Sequence, residues 1–462
     1  MSLIHRQDKN TRGAVLEFFR RLHFYIGLFV GPFIFVAALT GTLYVFSTQI
    51  ENRIYAHELT TQPVGEAQSL ADQVSAAREY VGEETRIYAV RPAPGRFDTT
   101  RVQFVDPALG SSESRAIFVD PYSLQIRGDL TVYGSSGSLP LRKWIDQVHR
   151  GLLLGDAGRL YSELAASWMW VAAVGGLALW WLSRPKRQRK KAQGRIAASR
   201  RLHITQGLFL LAGLLMFSAT GLAWSQWAGG NIDKMRTAFN WLTPQVRTTL
   251  DPHAVSHLPA DPHAEHHMSM PGMTMPSAED DVWQQVLASA RRAGIDAAKV
   301  EIRGPKSEGK AWTVAEAQAR WPSQVDAVAV DPRDMRVIDR VEFEQYPLAA
   351  KLTRWGIDFH MGLLFGLPNQ LLLTAFGIGV CVMIVLGYRM WWLRRPTAPA
   401  GNVASSLLHA WLRLPVRWRL GSLLAGVGLG GCLPVMGASL LAFLLIDIAR
   451  WQRQKRLMTQ FA

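Results

Sequence analysis

One passage of sequence occurs twice, and any fold must accommodate both copies. Arg20-Arg21-Leu22-His23 opens one apolar stretch and Arg200-Arg201-Leu202-His203 opens another. Gly27-Leu28-Phe29 and Thr40-Gly41 follow the first; Gly207-Leu208-Phe209 and Thr220-Gly221 follow the second, at a constant offset of 180. A further set matches at an offset of 211: Leu141, Trp144, His149, Gly151 and Gly155 align with Leu352, Trp355, His360, Gly362 and Gly366. Val119-Asp120-Pro121 matches Val330-Asp331-Pro332 and Trp180-Trp181 matches Trp391-Trp392 at that same offset. The chain reads as helix, polar segment, His-Gly element, helix, twice over.

The apolar runs reach the roughly 20 residues that cross a bilayer. The spacing predicts membrane helices over Leu22–Phe46, Leu164–Leu182 and His203–Trp227, and a fourth ending at Trp391-Trp392-Leu393. The first run is too long for a signal-peptide core and reads as a retained helix. The net charge of +15 comes from basic residues beside apolar runs. That is the pattern of cytoplasmic membrane flanks rather than of a nucleic-acid surface. Both cysteines, Cys381 and Cys432, lie in apolar runs, and no Cys-x-x-Cys-His haem-attachment motif occurs.

Arg184–Arg201 carries nine Lys/Arg and no acid, which places this loop and the N-terminus in the cytoplasm. Both copies then start inside, as parallel repeats about an axis along the membrane normal. The expected organisation is a cytoplasmic lead and first membrane helix (1–50), a polar domain (51–140), a His-Gly element and second helix (141–185) and a basic loop (186–200). A third helix (201–228), a second polar domain (229–350), a second His-Gly element and fourth helix (351–396) and a C-terminal part (397–462) follow. The fold class is a mainly α membrane protein: a four-helix transmembrane core, a further C-terminal apolar segment and two small α+β domains. In the polar domains, Ser69–Val81 and Val282–Ala293 show helical spacing, while Thr100–Val105, Arg115–Val119, Lys299–Ile302 and Val325–Val330 read as strands. Leu420–Ile446 is compatible with a single span, a re-entrant pair, or a hairpin broken at Gly430-Gly431 and Pro434.

The offset grows from 180 to 211 inside the second polar domain, so that copy carries 31 extra residues. Residues 251–281 have that length and hold His253, His257, His263, His266, His267, Met268, Met270, Met273 and Met275. Imidazole and thioether donors suit copper, and imidazole also suits zinc, nickel and iron. The segment has no fixed ligand spacing, and a His-rich loop without a specific metal is the competing reading.

Histidine within a membrane segment is costly unless paired or functional. His23 and His203 fall at one depth near the inner face; His149 and His360 fall near the outer face. Two facing imidazoles are what six-coordinate haem iron takes. Gly27, Gly31 and Gly207 lie one or two turns beyond the inner histidines, where missing side chains leave room for a flat macrocycle. The alternatives are solvated interfacial histidines, or an ion or proton path. The latter normally recruits mid-membrane carboxylates, which the first four helices lack. No Gly-rich dinucleotide fingerprint follows a strand, so the electron donor is a separate protein, a quinol or a diffusing reductant.

Arg-Arg-Leu-His-x-x-x-Gly-Leu, the Thr-Gly near the helix end, the Val-Asp-Pro turn, the Trp-x-x-x-x-His-x-Gly element and the terminal Trp-Trp-Leu-x-Arg-Pro resemble the PepSY-associated transmembrane family over Phe18–Pro396. The resemblance implies two periplasmic PepSY-like domains on the helical core of a bacterial inner-membrane protein. It supports two b-type haems on His23, His203, His149 and His360. It also implies an oxidoreductase that reduces Fe(III), in a ferric siderophore or other metal chelate, with no catalytic acid or base. Arg91, Arg96, Arg101 and Arg142 are candidates to guide an anionic chelate, with solvated surface charge as the plainer account. The rival functions are a transmembrane cytochrome feeding a partner protein and a copper-related metal-binding membrane protein.

Overall fold

The computed structural model of the chain describes residues 2–183, 194–251, 280–394 and 406–460. In chain order, α1 (Ser2–Tyr25) passes through a π-helical turn (Ile26–Val30) into α2 (Gly31–Val45). Short helices α3 (Ser47–Ile54) and α4 (Ala56–Leu59) lead to α5 (Leu70–Val81) and strands β1 (Ile87–Arg91), β2 (Thr100–Phe104), β3 (Glu113–Val119) and β4 (Ile126–Tyr133). Helices α6 (Pro140–Gly151) and α7 (Gly155–Leu182) complete the first copy. The second copy has α8 (Arg195–Phe209), α9 (Leu211–Ala223), α10 (Trp227–Ala238) and α11 (Asp281–Arg292). Strands β5 (Val300–Arg303), β6 (Trp312–Glu316), β7 (Ala327–Val330) and β8 (Val337–Val341) then precede α12 (Leu348–His360) and α13 (Leu367–Leu393). The described chain ends with α14 (Leu407–Leu412), α15 (Val416–Cys432) and α16 (Pro434–Gln460).

The chain divides into two compact units. One comprises Met1–Leu43, Gln147–Lys234 and Leu371–Ala462. Among the described residues, four helices are long and apolar enough to cross a membrane: Thr11–Val45, Gly155–Leu182, Leu367–Leu393 and Pro434–Arg453. The single helix expected over His203–Trp227 is instead a pair, α8 and α9, bent by 59°. After the bend α9 lies close against its neighbours. A Cβ on Gly213 would fall 2.3 Å from the Phe376 ring, and Ser218 Oγ donates to the Ala166 carbonyl at 2.5 Å.

The C-terminal part resolves as a helical hairpin. Gly430 and Gly437 meet backbone to backbone, since a Cβ on Gly437 would lie 2.8 Å from the Gly430 Cα. Pro434 occupies the first position of α16, where its missing N–H costs nothing. The helices run from Val416 to Gln460, beyond Leu420–Ile446 at both ends. Trp168 Nε1 donates to Ser439 Oγ at 2.8 Å, and the buried Asp447 accepts from the Tyr25 hydroxyl and from Leu408 N.

The other unit comprises Tyr44–Asp146 and Met235–Gln370. Its eight strands form one antiparallel sheet in the order β4-β3-β2-β1-β5-β6-β7-β8. This corrects the expectation of two separate α+β domains. Each copy supplies a four-stranded meander, and the two join edge to edge through β1 and β5, with Val90 opposite Ile302. Unpaired edges expose rows of backbone donors and acceptors, so pairing two edges removes both liabilities. One hydrophobic core serves both copies: Leu70, Val74 and Ala77 of α5 and Trp283, Val286 and Ala290 of α11 pack with Val90, Ile302 and their strand neighbours. Burying a side chain such as Val74 fully contributes about 1.5–3 kcal/mol. The seam also carries charge. Glu301 accepts from Arg91 Nε and Arg303 Nε, both at 2.6 Å.

The helix expected from Ser69 starts with a capping box between Ser69 and Asp72. The Asp-Pro turns match in both copies. Asp120 Oδ1 accepts from Tyr122 N and Asp331 Oδ1 from Arg333 N, each at 2.9 Å.

Candidate functional site

The helices carrying the inner histidines are irregular at matching positions. The π-turn after His23 ends at Val30, and the bend after His203 falls at Leu210, 180 residues on. π-turns inserted in α-helices often mark functional sites.

His23 and His203 come together as the repeat predicted. Their ring centroids lie 6.2 Å apart with the planes 80° to one another. His23 Nδ1 is 3.1 Å from the Ala172 carbonyl oxygen, and His203 Nδ1 is 3.0 Å from that of Met383. A carbonyl oxygen only accepts, so each Nδ1 carries a proton and donates it. The neutral ring is left with a bare Nε2, the tautomer of a metal-ligating histidine. Ala172 and Met383 are related by the offset of 211.

The glycines expected to leave room for a macrocycle differ in their surroundings. Gly27 does face open space, but Gly31 packs against Tyr388 and Gly207 against Met383. The imidazoles instead lie over α7 and α13. A Cβ on Gly176 would sit 3.3 Å from His23 Cε1, and one on Gly387 would sit 3.8 Å from His203 Cε1. These two glycines also differ by 211, a signal present in the sequence but not exploited there.

His149 lies near the end of α6, with Nδ1 3.0 Å from Thr40 Oγ1. The Tyr161 hydroxyl donates to its backbone carbonyl. The turn that follows is tight, because a Cβ on Gly158 would collide with the Gly151 carbonyl at 1.8 Å. His360 is the last residue of α12, in the unit that holds the sheet. His253, His257, His263, His266, His267, Met268, Met270, Met273 and Met275 lie outside the described residues.

Two of the candidate steering arginines sit beside carboxylates of the chain itself. Arg91 pairs with Glu301, and Arg142 Nε lies 2.9 Å from Glu51 Oε2. Arg101 donates to the Gly137 carbonyl at 2.8 Å and covers the Phe118 ring. Burial, with Arg91 and Arg142 close by, pulls Arg101 down to about 9. Arg96 lies over Phe97.

Among the described residues, no group of three or more His, Cys, Asp or Glu side chains is placed to hold a metal ion. Among the described residues, His23 and His203 therefore have no third His, Cys, Asp or Glu grouped with them. A metal held there has to bring its remaining ligands with it, as haem iron does. The spacing fits: two imidazoles bound in line at about 2 Å per bond have centroids about 6 Å apart. These helices and this sheet define a membrane protein with an apolar helical unit that holds a histidine pair and a second unit built on an antiparallel sheet. The family model for the PepSY-associated TM region matches residues 20–394, and the chain belongs to that family. A search of curated proteins finds no match to it.

Proposed function

We propose that the chain is a haem-containing membrane oxidoreductase that carries electrons across the membrane and reduces Fe(III) held in a chelate, a ferric siderophore being the substrate class that the family likeness favours. The observation that carries the reading is the His23–His203 pair, with each Nδ1 spent on a backbone carbonyl and, among the described residues, no third His, Cys, Asp or Glu grouped with them. His23 and His203 would hold one b-type haem; the matched offset assigns His149 and His360 to a second. Haem bound at these residues supplies a one-electron Fe(III)/Fe(II) couple whose potential the surrounding hydrogen bonds tune. The chain's own contribution is to fix the tautomer of its histidines and to keep them in an apolar surround. Reducing chelated Fe(III) weakens a hard-oxygen site and frees Fe(II), with no acid or base required. In this reading the protein lies in a bacterial inner membrane, with its sheet domain periplasmic.

An absorption spectrum of the protein purified after expression with adequate haem is the deciding experiment. A Soret band with reducible α bands is the expected result, and their absence sinks the reading. Mixing dithionite-reduced protein with a ferric siderophore then separates a reductase from a cytochrome that serves a partner protein. Reoxidation without any partner supports the reductase.

A further inference from the structure

We propose that Thr40, with Gly41, is the positioning residue of His149: it fixes which ring nitrogen carries the proton and sets the donor strength of the other. This rests on the haem reading above. A threonine hydroxyl has one proton. Thr40 Oγ1 lies 2.7 Å from the Val36 carbonyl and 3.2 Å from that of Ala37, both acceptors only. The proton goes to the helix backbone, as threonine in a helix commonly arranges. Only a lone pair then remains for His149 Nδ1 at 3.0 Å, so Nδ1 must donate. Nε2 is then the ring nitrogen without the proton. Thr40 is 7% exposed, so water does not compete for the contact.

Gly41 completes the socket. A Cβ there would lie 3.2 Å from His149 Cε1 and 3.6 Å from Nδ1, so any larger residue presses on the ring. The repeated Thr-Gly pair thereby acquires a role that its position near a helix end did not reveal. Thr220 has the same backbone habit, donating to Met216 and Phe217. The inner histidines use backbone carbonyls for this purpose, which no substitution removes. Thr40 does the same job with a side chain, so at His149 the effect is testable.

A hydrogen bond accepted from Nδ1–H makes the ring a stronger donor through Nε2 and favours the oxidised metal. The test is a spectroelectrochemical redox titration of the purified holoprotein, wild type against Thr40→Val and Thr40→Ser. Thr40→Val should raise the midpoint potential of the haem wave that His149→Ala abolishes and leave the other wave in place. Thr40→Ser should return the wild-type value. Unchanged waves in Thr40→Val at full haem content overturn the proposal. So does loss of that haem in both variants, which points to packing rather than to the hydroxyl. Loss in Thr40→Val with retention in Thr40→Ser supports it. A wild-type protein without a Soret band fails the haem reading itself, a result visible before any variant is made.

Discussion

His23 and His203 lie with ring centroids 6.2 Å apart and planes 80° to one another, and each is held at Nδ1 by a carbonyl from the helix that ends its own repeat. The two imidazoles are thereby fixed in the same tautomer by matched backbone groups. Helix geometry alone holds these acceptors, so the arrangement survives most side-chain changes around it.

Removing either ring therefore isolates one site. His23→Ala or His203→Ala should lower the haem-to-protein ratio by about half while the His149-dependent band persists. His149→Ala and His360→Ala should give the converse. A pyridine haemochrome assay against protein concentration reads both, and loss of all haem in a folded variant contradicts independent sites.

The glycines beneath the rings should differ in tolerance. Gly176→Val places branched carbon where even a Cβ is 3.3 Å from His23 Cε1, and should displace the ring and cut occupancy of the inner site. Gly387→Ala adds an ordinary contact at 3.8 Å and should leave the spectrum unchanged. The intensity of the inner-site α band makes the comparison.

Glu301 is the anion of the sheet seam. Burial opposes its ionisation, but Arg91 and Arg303 outweigh this and hold its carboxyl below the ordinary range. A carboxyl with a lowered folded pKa stabilises the fold above the unfolded value of about 4.3, and that contribution is lost as pH falls through the folded value. Glu301→Gln should cost the sheet domain about 3 kcal/mol at neutral pH, because both guanidinium groups lose their counter-charge. The variant should also show a shallower acid unfolding limb than wild type. Chemical denaturation followed by tryptophan fluorescence at several pH values measures both.

The His/Met-rich insertion should be dispensable for haem. Asp280 pairs with Arg78 at 2.8 Å and α11 begins at Asp281, so the deletion must stop at residue 279. Replacing residues 252–279 with a short Gly-Ser linker should leave the haem spectrum intact. A missing band after this deletion assigns a ligand to the segment.

The C-terminal hairpin is fastened at Asp447. Tyr25→Phe takes one donor from a carboxylate that is 1% exposed and should cost about 1–3 kcal/mol. A lower unfolding temperature in detergent, with the haem spectrum retained until the transition, is the expected result.

The helical regions and the inner pair were legible because duplication marks positions by arithmetic. An offset of 180 links His23 to His203, and an offset of 211 links the carbonyls that hold them. The helices α5 and α11 and strands β2, β3, β5 and β7 appear where the spacing placed them, within a few residues. Strands β1, β4, β6 and β8 were not foreseen. β4 and β8 are mostly half-buried and carry charged residues such as Asp129 and Arg340, so their alternation is weak. The joining of the two meanders was also hidden, because β1–β5 pairing depends on edges meeting in space and leaves no local pattern. The bend at Leu210 was hidden as well, because hydropathy averaged along a run cannot register it. Backbone acceptors such as Ala172 carry no side-chain signature at all.

The seam between β1 and β5 makes the sheet an internal dimer. A chain of half this length, with one meander, would expose the β1 edge, the apolar face of α5 and an arginine at position 91 without its glutamate. Such a chain could complete the sheet only by associating with a second copy. Carrying both meanders on one chain turns that concentration-dependent assembly into a single folding event.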